Sequence, residues 1–372
     1  MPVTFVSSHA GLGGAERYLE LLLAQLGAGW VNQVVCLQAG PFAERLRALG
    51  HPVEVVETPR RAGMLPAAWR LREVLRRSRP AVVHANGVKA ALLAGLATPG
   101  TSIPVVWVKH DFSWDGPLAA LVGLRCREVV GVSRAVLATF GRRPRPHRRV
   151  VPNGIPQDPV NRGRGREMAL ELLRCPPEAD VVTIVGRLDP VKGQAELVEA
   201  APEVLRRRPG ARFLVVGGED PHHPSFAAGL RARVRALGLE GAVTFGGHRP
   251  DAPDLLAGSD ATVIPTIPDS RGFGREGFGL VGVEAMAAGT PVVGYADGAL
   301  PEVLGDCARL VAPGDRTSLG REIARVLEDD ALRERLVRCG RQRARERYRL
   351  DSMANAMESV YRSAAGFAGT SP

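Results

Sequence analysis

The chain reads as an α/β protein built from two tandem doubly wound domains facing a central cleft. Three observations carry this expectation. Its 372 residues, 45% of them hydrophobic, exceed one comfortable core and suffice for two domains of ordinary size. Short β-branched runs alternate with longer apolar-periodic stretches, the rhythm of parallel strands covered by helices on both faces. The rhythm stops at "VPNGIPQDPVNRGRG" (151–165), where Pro, Gly and Asn break all periodicity, and then restarts.

In chain order, the strand-like runs of the first half are "VTFVSS", "NQVVCLQ", "PVEVVE", "AVVHA", "IPVVWVKH", "REVVGVS" and "RRVVPNG", with helical stretches at 15–26, 65–77 and 88–97 among them. They make a Rossmann-like domain over 1–155. After the 151–165 linker come "DVVTIVGRLD", "ARFLVVGG", "AVTFGGH", "ATVIPT", "TPVVGY" and "ARLVAP", a second such domain over 166–348. Charged helices fill roughly 315–366. Two open parallel sheets would bring the carboxyl ends of both strand sets to one crevice, where such sheets bind ligands.

Composition narrows the class. No stretch approaches the roughly 18 uninterrupted apolar residues of a membrane span. "MPVTFVSSHAG" has no basic leader region and already reads as a strand, so a cytoplasmic location is expected. The five cysteines, Cys36, Cys126, Cys175, Cys307 and Cys339, are odd in number and far apart, which favours buried thiols over disulfides or a structural zinc. Residues 1–150 carry 20 basic and 9 acidic side chains, a net of +11, while the whole chain is at +10. All the excess lies in the first half, which suggests an anionic partner there: acidic headgroups, a phosphorylated acceptor or nucleic acid.

Candidate chemistry concentrates in four places. "REGFGLVGVEAMAAGTPVV" (275–293) sets two acids, Glu276 and Glu284, around a glycine-rich turn. The segment "LVGVEAMAAG" has helical composition, ending at Gly289 with Pro291 as a stop, so the helix is expected to begin near Gly279. A helix N-terminus supplies unpaired N–H groups and a positive dipole end, and glycines admit a phosphate close to the backbone. Glu276 would lie at the mouth and Glu284 roughly 8 Å along the axis, at ~1.5 Å per residue. Acids so separated suit two ends of one ligand better than a shared metal, and a sugar nucleotide offers hydroxyls, diphosphate and hydroxyls in that order. The plainer alternative is a first-turn acid favoured by the dipole and a solvated helix residue.

"VGRLDPVKG" (185–193) follows a strand and precedes a helix, offering Arg187 and Lys192. Arg187 can fork onto two phosphate oxygens, and Lys192 is a compact charge for a departing oxygen. Only three of the 49 basic residues are lysines, Lys89, Lys109 and Lys192, which makes this one more noticeable. "HAGLGGAERYLELL" puts Gly13 and Gly14 between the first strand and first helix, but Glu16 occupies the third glycine position of a dinucleotide fingerprint. A turn close to a diphosphate, or a plain tight turn, remains. "VVWVKHDFSWD" ends a strand at His110 and Asp111, where His110 could meet a sugar hydroxyl, act as a general base, or be purely structural.

Taken together, "GGAE" (13–16), "HD" (110–111), "VGRLDPVKG" (185–193), "VVGGED" (215–220), "VTFGGH" (243–248) and "REGFGLVGVEAMAAGTPVV" (275–293) resemble the retaining glycosyltransferases of family 4, which have the GT-B fold. They follow that family's order across almost the whole chain, and the last matches its pair of glutamates eight residues apart. The resemblance implies that Arg187 and Lys192 bind the donor diphosphate and Glu284 the ribose hydroxyls. Glu276 and the backbone of Gly277, Phe278, Gly279 and Leu280 would hold the donor sugar and phosphates. Gly13 and Gly14 would face the diphosphate from the first domain, and His110 would touch the donor sugar. It implies a front-face displacement needing neither a protein nucleophile nor a metal or other cofactor, with Arg187, Lys192, Glu276 and His110 as the catalytic set. A C-terminal helix, about 351–366, would pack back on the first domain. The segment departs from the usual pattern in an additional Gly-Phe-Gly at 272–274; Glu276, and not Arg271, is the partner of Glu284.

The partners so implied are a nucleoside-diphosphate sugar donor and a carbohydrate, lipid-linked or phosphate-bearing acceptor. Two rivals stand beside this. A sugar-nucleotide epimerase would need an acid and base converging on the sugar, for which His110 alone is thin support. A nucleic-acid binder would fit a pI near 10.1, yet aromatics total 5% and no reading helix is visible, so no nucleic acid is expected. An anionic membrane surface is the better match to the basic half, with "PLAALVGLRCREVV" (117–130) as its amphipathic candidate or else a core helix.

Overall fold

The computed structural model describes all residues except 28, 59–62, 114–116, 141–146, 158–159, 271 and 367–372. Arg271 and most of the Arg-rich 141–149 tract therefore lie outside the described residues. The chain divides into two compact units, Met1–Gly154 with Arg349–Pro372, and Ile155–Tyr348.

The first unit is built on β1 (Val3–Ser7), β2 (Val31–Cys36), β3 (Val53–Val55), β4 (Val82–Asn86), β5 (Val105–Lys109), β6 (Glu128–Gly131) and β7 (His147–Val150). All pair in parallel, in the order β3-β2-β1-β4-β5-β6-β7. β1, β4, β5 and β6 are buried along their whole length, which is why apolar residues dominate both faces rather than alternating with exposed polar ones. Between them come α1 (Gly14–Gln25), α2 (Pro41–Ala48), α3 (Met64–Ser78), α4 (Val88–Ala97), α5 (Pro117–Gly123) and α6 (Arg134–Ala138). Strand order reverses between β1 and β4, so the segments leaving these two strands diverge and open a crevice at their carboxyl ends. Ser8 knits that edge together: its hydroxyl donates to the Asn86 carbonyl at 2.8 Å and accepts from the Ala90 amide at 3.0 Å.

The expected amphipathic helix at 117–130 is not one element. It is the short α5 followed by β6, an interior strand whose residues 128–131 are all buried, because the second half of the segment is β-branched and sits between β5 and β7. Returning from the far end of the sequence, α15 (Leu350–Ala364) lies on this unit. Its Met353, Met357, Val360 and Tyr361 form the buried stripe expected of an amphipathic helix, and the Tyr361 hydroxyl meets His84 Nδ1 at 2.7 Å.

The second unit holds β8 (Val181–Val185), β9 (Arg212–Val216), β10 (Val243–Gly247), β11 (Ala261–Ile264), β12 (Val292–Tyr295) and β13 (Ala308–Val311), all parallel in the order β10-β9-β8-β11-β12-β13. Its switch point falls between β8 and β11. The helices are α7 (Arg162–Leu173), α8 (Gln194–Arg207), α9 (Phe226–Ala236), α10 (Ala252–Ala257), α11 (Leu280–Ala288), α12 (Leu300–Leu304), α13 (Arg316–Glu328) and α14 (Asp330–Arg347). α7 begins inside the expected 151–165 linker: the Asn161 side chain accepts from the Arg164 amide at 2.9 Å and caps it, a start signal that the surrounding Gly and Arg obscure.

The cysteine expectation is also corrected. Cys307 and Cys339 form a disulfide, with Cα atoms 5.1 Å apart, while Cys36, Cys126 and Cys175 remain thiols. The pair is distant in sequence and brought together by packing of α14 on the turn at Gly305–Cys307, so spacing rules could not see it.

Candidate functional site

At the switch point of the second unit, β8 runs out through Gly186 to Arg187, and β11 through Pro265 to Thr266. The two exits are tied: the Ile267 amide donates to the Val191 carbonyl at 3.0 Å. Gln194, opening α8, donates from Nε2 to the carbonyls of Gly186 and Arg187 and fixes the backbone that carries the arginine.

Lys192 closes a short turn over Pro190–Lys192, whose start is capped by the Asp189 carboxylate at the Val191 amide. Its Nζ lies 2.7 Å from Glu276 Oε1, which also accepts from the Thr266 hydroxyl at 3.0 Å. Burial pushes the Glu276 carboxyl up, but the Lys192 charge and the hydrogen bonds from Lys192 and Thr266 outweigh it and hold the group below the usual carboxylate range. Glu276 is therefore an anion at neutral pH, able to accept from hydroxyls.

Arg187 is half exposed and anchored from two sides, by Asp189 at 3.2 Å and by buried Asp220 at 3.4 Å. Asp220 in turn accepts from the His222 amide at 2.9 Å. Asp189, Asp220 and His223 bring ligand-type atoms within 4.8 Å of one another, but the Arg187 guanidinium already lies against both carboxylates and answers their charge.

Gly277, Phe278 and Gly279 follow, and α11 starts at Leu280 with Gly279 as its N-cap, ending on Gly289 in the left-handed region. Both bounds agree with those expected from the sequence. Gly279 has φ +83°, and a Cβ there would come within 2.5 Å of Leu300, so only glycine lets the chain turn into the helix at this point. The first amides of α11 have no intrahelical acceptor by construction and sit at the dipole's positive end. Glu284 lies four residues into the helix, about 6 Å along its axis. Phe278 is buried edge-on against Tyr348 at 5.3 Å between ring centroids. The additional Gly-Phe-Gly at 272–274 belongs to a separate loop organised by Asp269, whose side chain accepts from the Phe273 amide at 2.9 Å. The 277–279 copy is the one that feeds α11.

In the first unit, Gly13 and Gly14 leave β1 and open α1, and the Gly13 amide donates to the Glu16 carboxylate at 3.2 Å. His110 follows β5. Its Nε2 lies 2.6 Å from Asn86 Oδ1, and its ring meets Tyr18 edge-on at 4.8 Å. Burial lowers its pKa to about 4, against the raising pull of Asp111 and with a further push down from Lys109. The ring is thus neutral, a poor proton acceptor at pH 7 but a good hydrogen-bond partner. Buried Lys109 donates to the carbonyls of Asp111 and Ser113 and pins the loop that follows.

A family model described as group 1 glycosyl transferases matches residues 173–343, and one described as glycosyltransferase family 4 matches residues 12–158. The chain belongs to glycosyltransferase family 4. Within it, the chain is 34% identical over 58% of its length to the phosphatidyl-myo-inositol mannosyltransferase of Mycobacterium leprae, covering 53% of that protein. It is 35% identical over 58% of its length to the D-inositol 3-phosphate glycosyltransferase of Acidothermus cellulolyticus, covering 48% of it. The chain thus spans about half the length of the curated relatives it matches. The Anabaena protein HepE, solved with UDP and glucose, superposes with a TM-score of 0.85 at 25% identity over 98% of this chain and 100% of that one. The two parallel-sheet units in tandem are the GT-B architecture.

Sequence reasoning in this family 4 chain missed the residues that hold others in place. Thr266, Asp189, Asp220, Gln194 and Asn86 all act on a neighbour's side chain or backbone. Asn86 and Thr266 stand at the carboxyl ends of the switch-point strands, and that position was the signal available.

Proposed function

We propose that the chain is a retaining, metal-independent glycosyltransferase that moves a hexosyl unit from a nucleoside-diphosphate sugar to an acceptor of the cell envelope, a glycolipid or polysaccharide precursor. The observation that carries this reading is the Lys192–Glu276 pair beside the N-terminus of α11 at a sheet switch point. It combines a cation and helix amides for a diphosphate with an ionised carboxylate for sugar hydroxyls. The names of the relatives support it: HepE was solved with UDP, and the two curated relatives are named for inositol-containing substrates. A phosphate-bearing or lipid-linked acceptor is the corresponding choice here.

In this reading the donor diphosphate lies against Arg187, Lys192 and the amides around Gly277–Leu280, and the ribose on Glu284. As the sugar–phosphate bond breaks, the leaving oxygen gains charge that Arg187, Lys192 and the helix N-terminus stabilise. That oxygen takes the proton of the acceptor hydroxyl, whose oxygen bonds to the anomeric carbon on the same face. Glu276 holds the sugar. No cofactor is assigned.

The reading also includes peripheral attachment to anionic membrane at the cytoplasmic face. No helix of the described residues is long and apolar enough to cross a membrane. The support is a surface of the first unit where Leu65 and Trp69 of α3, Leu96 of α4, and Leu121 and Leu124 at α5 are exposed among arginines.

The test is a thermal-shift and calorimetric panel of UDP, GDP, ADP and TDP, alone and with attached sugars, on wild type and Glu284→Ala. Stabilisation by one nucleotide, lost in the variant, is expected. A flat response to the whole panel would overturn the reading.

A further inference from the structure

Asn86 ends β4 and is buried. Its Nδ2 donates to the Ala15 carbonyl in the first turn of α1 at 3.0 Å. A carbonyl oxygen only accepts, so the amide has one orientation in which this bond forms, and that orientation turns Oδ1 toward His110. Oδ1 also only accepts. The 2.6 Å contact with His110 Nε2 therefore requires the proton to be on Nε2. In the neutral ring, Nδ1 is then an acceptor, and it forms no hydrogen bond among the described residues.

The surroundings favour that state. Tyr18 from α1 stands edge-on to the ring, His84 lies on the neighbouring strand and stacks with Tyr18, and Asp111 and Lys109 flank His110 in the chain. His84 is itself held by Tyr361 at Nδ1.

We propose that Asn86 is a positioning residue that fixes His110 as the Nε2–H tautomer, aims an Nδ1 lone pair at the ligand, and ties the ring to the Gly13–Gly14 turn through Ala15. A lone pair accepts from a hydroxyl and repels a phosphate oxygen, so the partner of His110 is a sugar hydroxyl and not the diphosphate. This rests on the transferase reading for the identity of the ligand, but not for the tautomer.

The experiment uses the full chain with ¹⁵N-labelled histidine, His110 being assigned by the signal lost in His110→Gln. Wild type is expected to show one His110 proton, on Nε2, shifted downfield by the short bond and protected from exchange. In Asn86→Ala that protection disappears. In Asn86→Asp, which keeps the side-chain shape, Oδ1 still holds the Nε2 proton and the added charge raises the pKa of the ring. Absence of the protected Nε2 proton in wild type, or its survival unchanged in Asn86→Ala, overturns the proposal. Should Asn86→Ala fail to fold, absence of the protected Nε2 proton in Asn86→Asp, whose Oδ1 still accepts, overturns it equally. With whichever nucleotide sugar the panel selects, His110→Ala, which leaves the Asn86–Ala15 bond in place, is expected to weaken binding of the sugar nucleotide about tenfold and leave the bare nucleoside diphosphate unaffected. Equal weakening of both contradicts the hydroxyl assignment. If no nucleotide binds, the transferase reading fails while the tautomer result still decides the role of Asn86.

Discussion

Lys192 and Glu276 meet through one carboxylate oxygen: Nζ lies 2.7 Å from Oε1, which also takes the Thr266 hydroxyl at 3.0 Å, and Oε2 has no hydrogen bond among the described residues. The carboxylate is oriented by one oxygen and available at the other.

Glu276→Ala and Glu284→Ala should therefore fail differently. Removing Glu276 also frees Lys192 from its partner, and kcat/KM is expected to fall about 10²–10³-fold with only a modest change in nucleotide affinity. Glu284 stands further into α11, and its loss is expected to raise the donor dissociation constant about tenfold. Steady-state kinetics and calorimetry on both variants separate the two effects. Equal losses in both quantities would sink the division of roles.

The same pair makes stability depend on acid. Glu276 has its folded pKa below the unfolded value, so the folded state binds fewer protons through this group. Its contribution is present in full above the unfolded pKa of about 4.3 and is lost as pH falls through the lower folded value. The Tm gap between wild type and Glu276→Gln is expected to hold steady from about pH 8 to 6 and to close below about pH 4. A gap that widens on acidification would contradict the pairing.

Much of this was legible in the sequence because a sheet covered on both faces writes its interior strands as mostly apolar, β-branched runs, and the edge strands β3 and β7 still carry valines. All thirteen such runs became strands, and Gly279 and Gly289 bounded α11 where the punctuation put them. What escaped notice has no periodicity. The segment 117–130 is apolar enough for a helix, and only its β-branched second half and its place between β5 and β7 make it a strand. Asn86 looks like a turn residue before Gly87, and its work depends on Ala15 and His110, which are remote in sequence. Cys307 and Cys339 look like two of five unrelated cysteines until α14 packs.

The disulfide yields a thiol count. Under non-reducing conditions, three thiols are expected to titrate in denaturant and five after reduction. Cys175 should react first in the native protein, because Cys36 and Cys126 are buried, with burial pushing their thiols up to about 11 and about 12. A bridge between residues 32 apart is worth about 3–4 kcal/mol in the chain-entropy description. Reductant should therefore lower the Tm of wild type to that of the Cys307→Ser/Cys339→Ser double variant, whose own Tm should not respond. Five reactive thiols without reductant would contradict the bridge.

Membrane attachment puts the apolar surface of the first unit to the test. Leu65 and Trp69 lie one turn apart on α3, 73% and 64% exposed, and α4 packs between α3 and α5, where Leu121 and Leu124 are 60% and 63% exposed. Cations rim this surface. Arg72 reaches the carbonyls of Ala97 and Pro99 at the end of α4, and Arg125 lies over Gly95. Apolar side chains set among arginines match an acidic bilayer, with insertion supplied by the former and attraction by the latter. Sedimentation with anionic vesicles at low salt should exceed that with neutral vesicles and weaken as salt is added. Burying one such side chain is worth about 1.5–3 kcal/mol, so Trp69→Ala with Leu65→Ser should lower partitioning at least about tenfold without lowering turnover of a soluble acceptor. Equal binding to anionic and neutral vesicles would remove the membrane from the account. Unaltered binding by the double variant would move it to another surface.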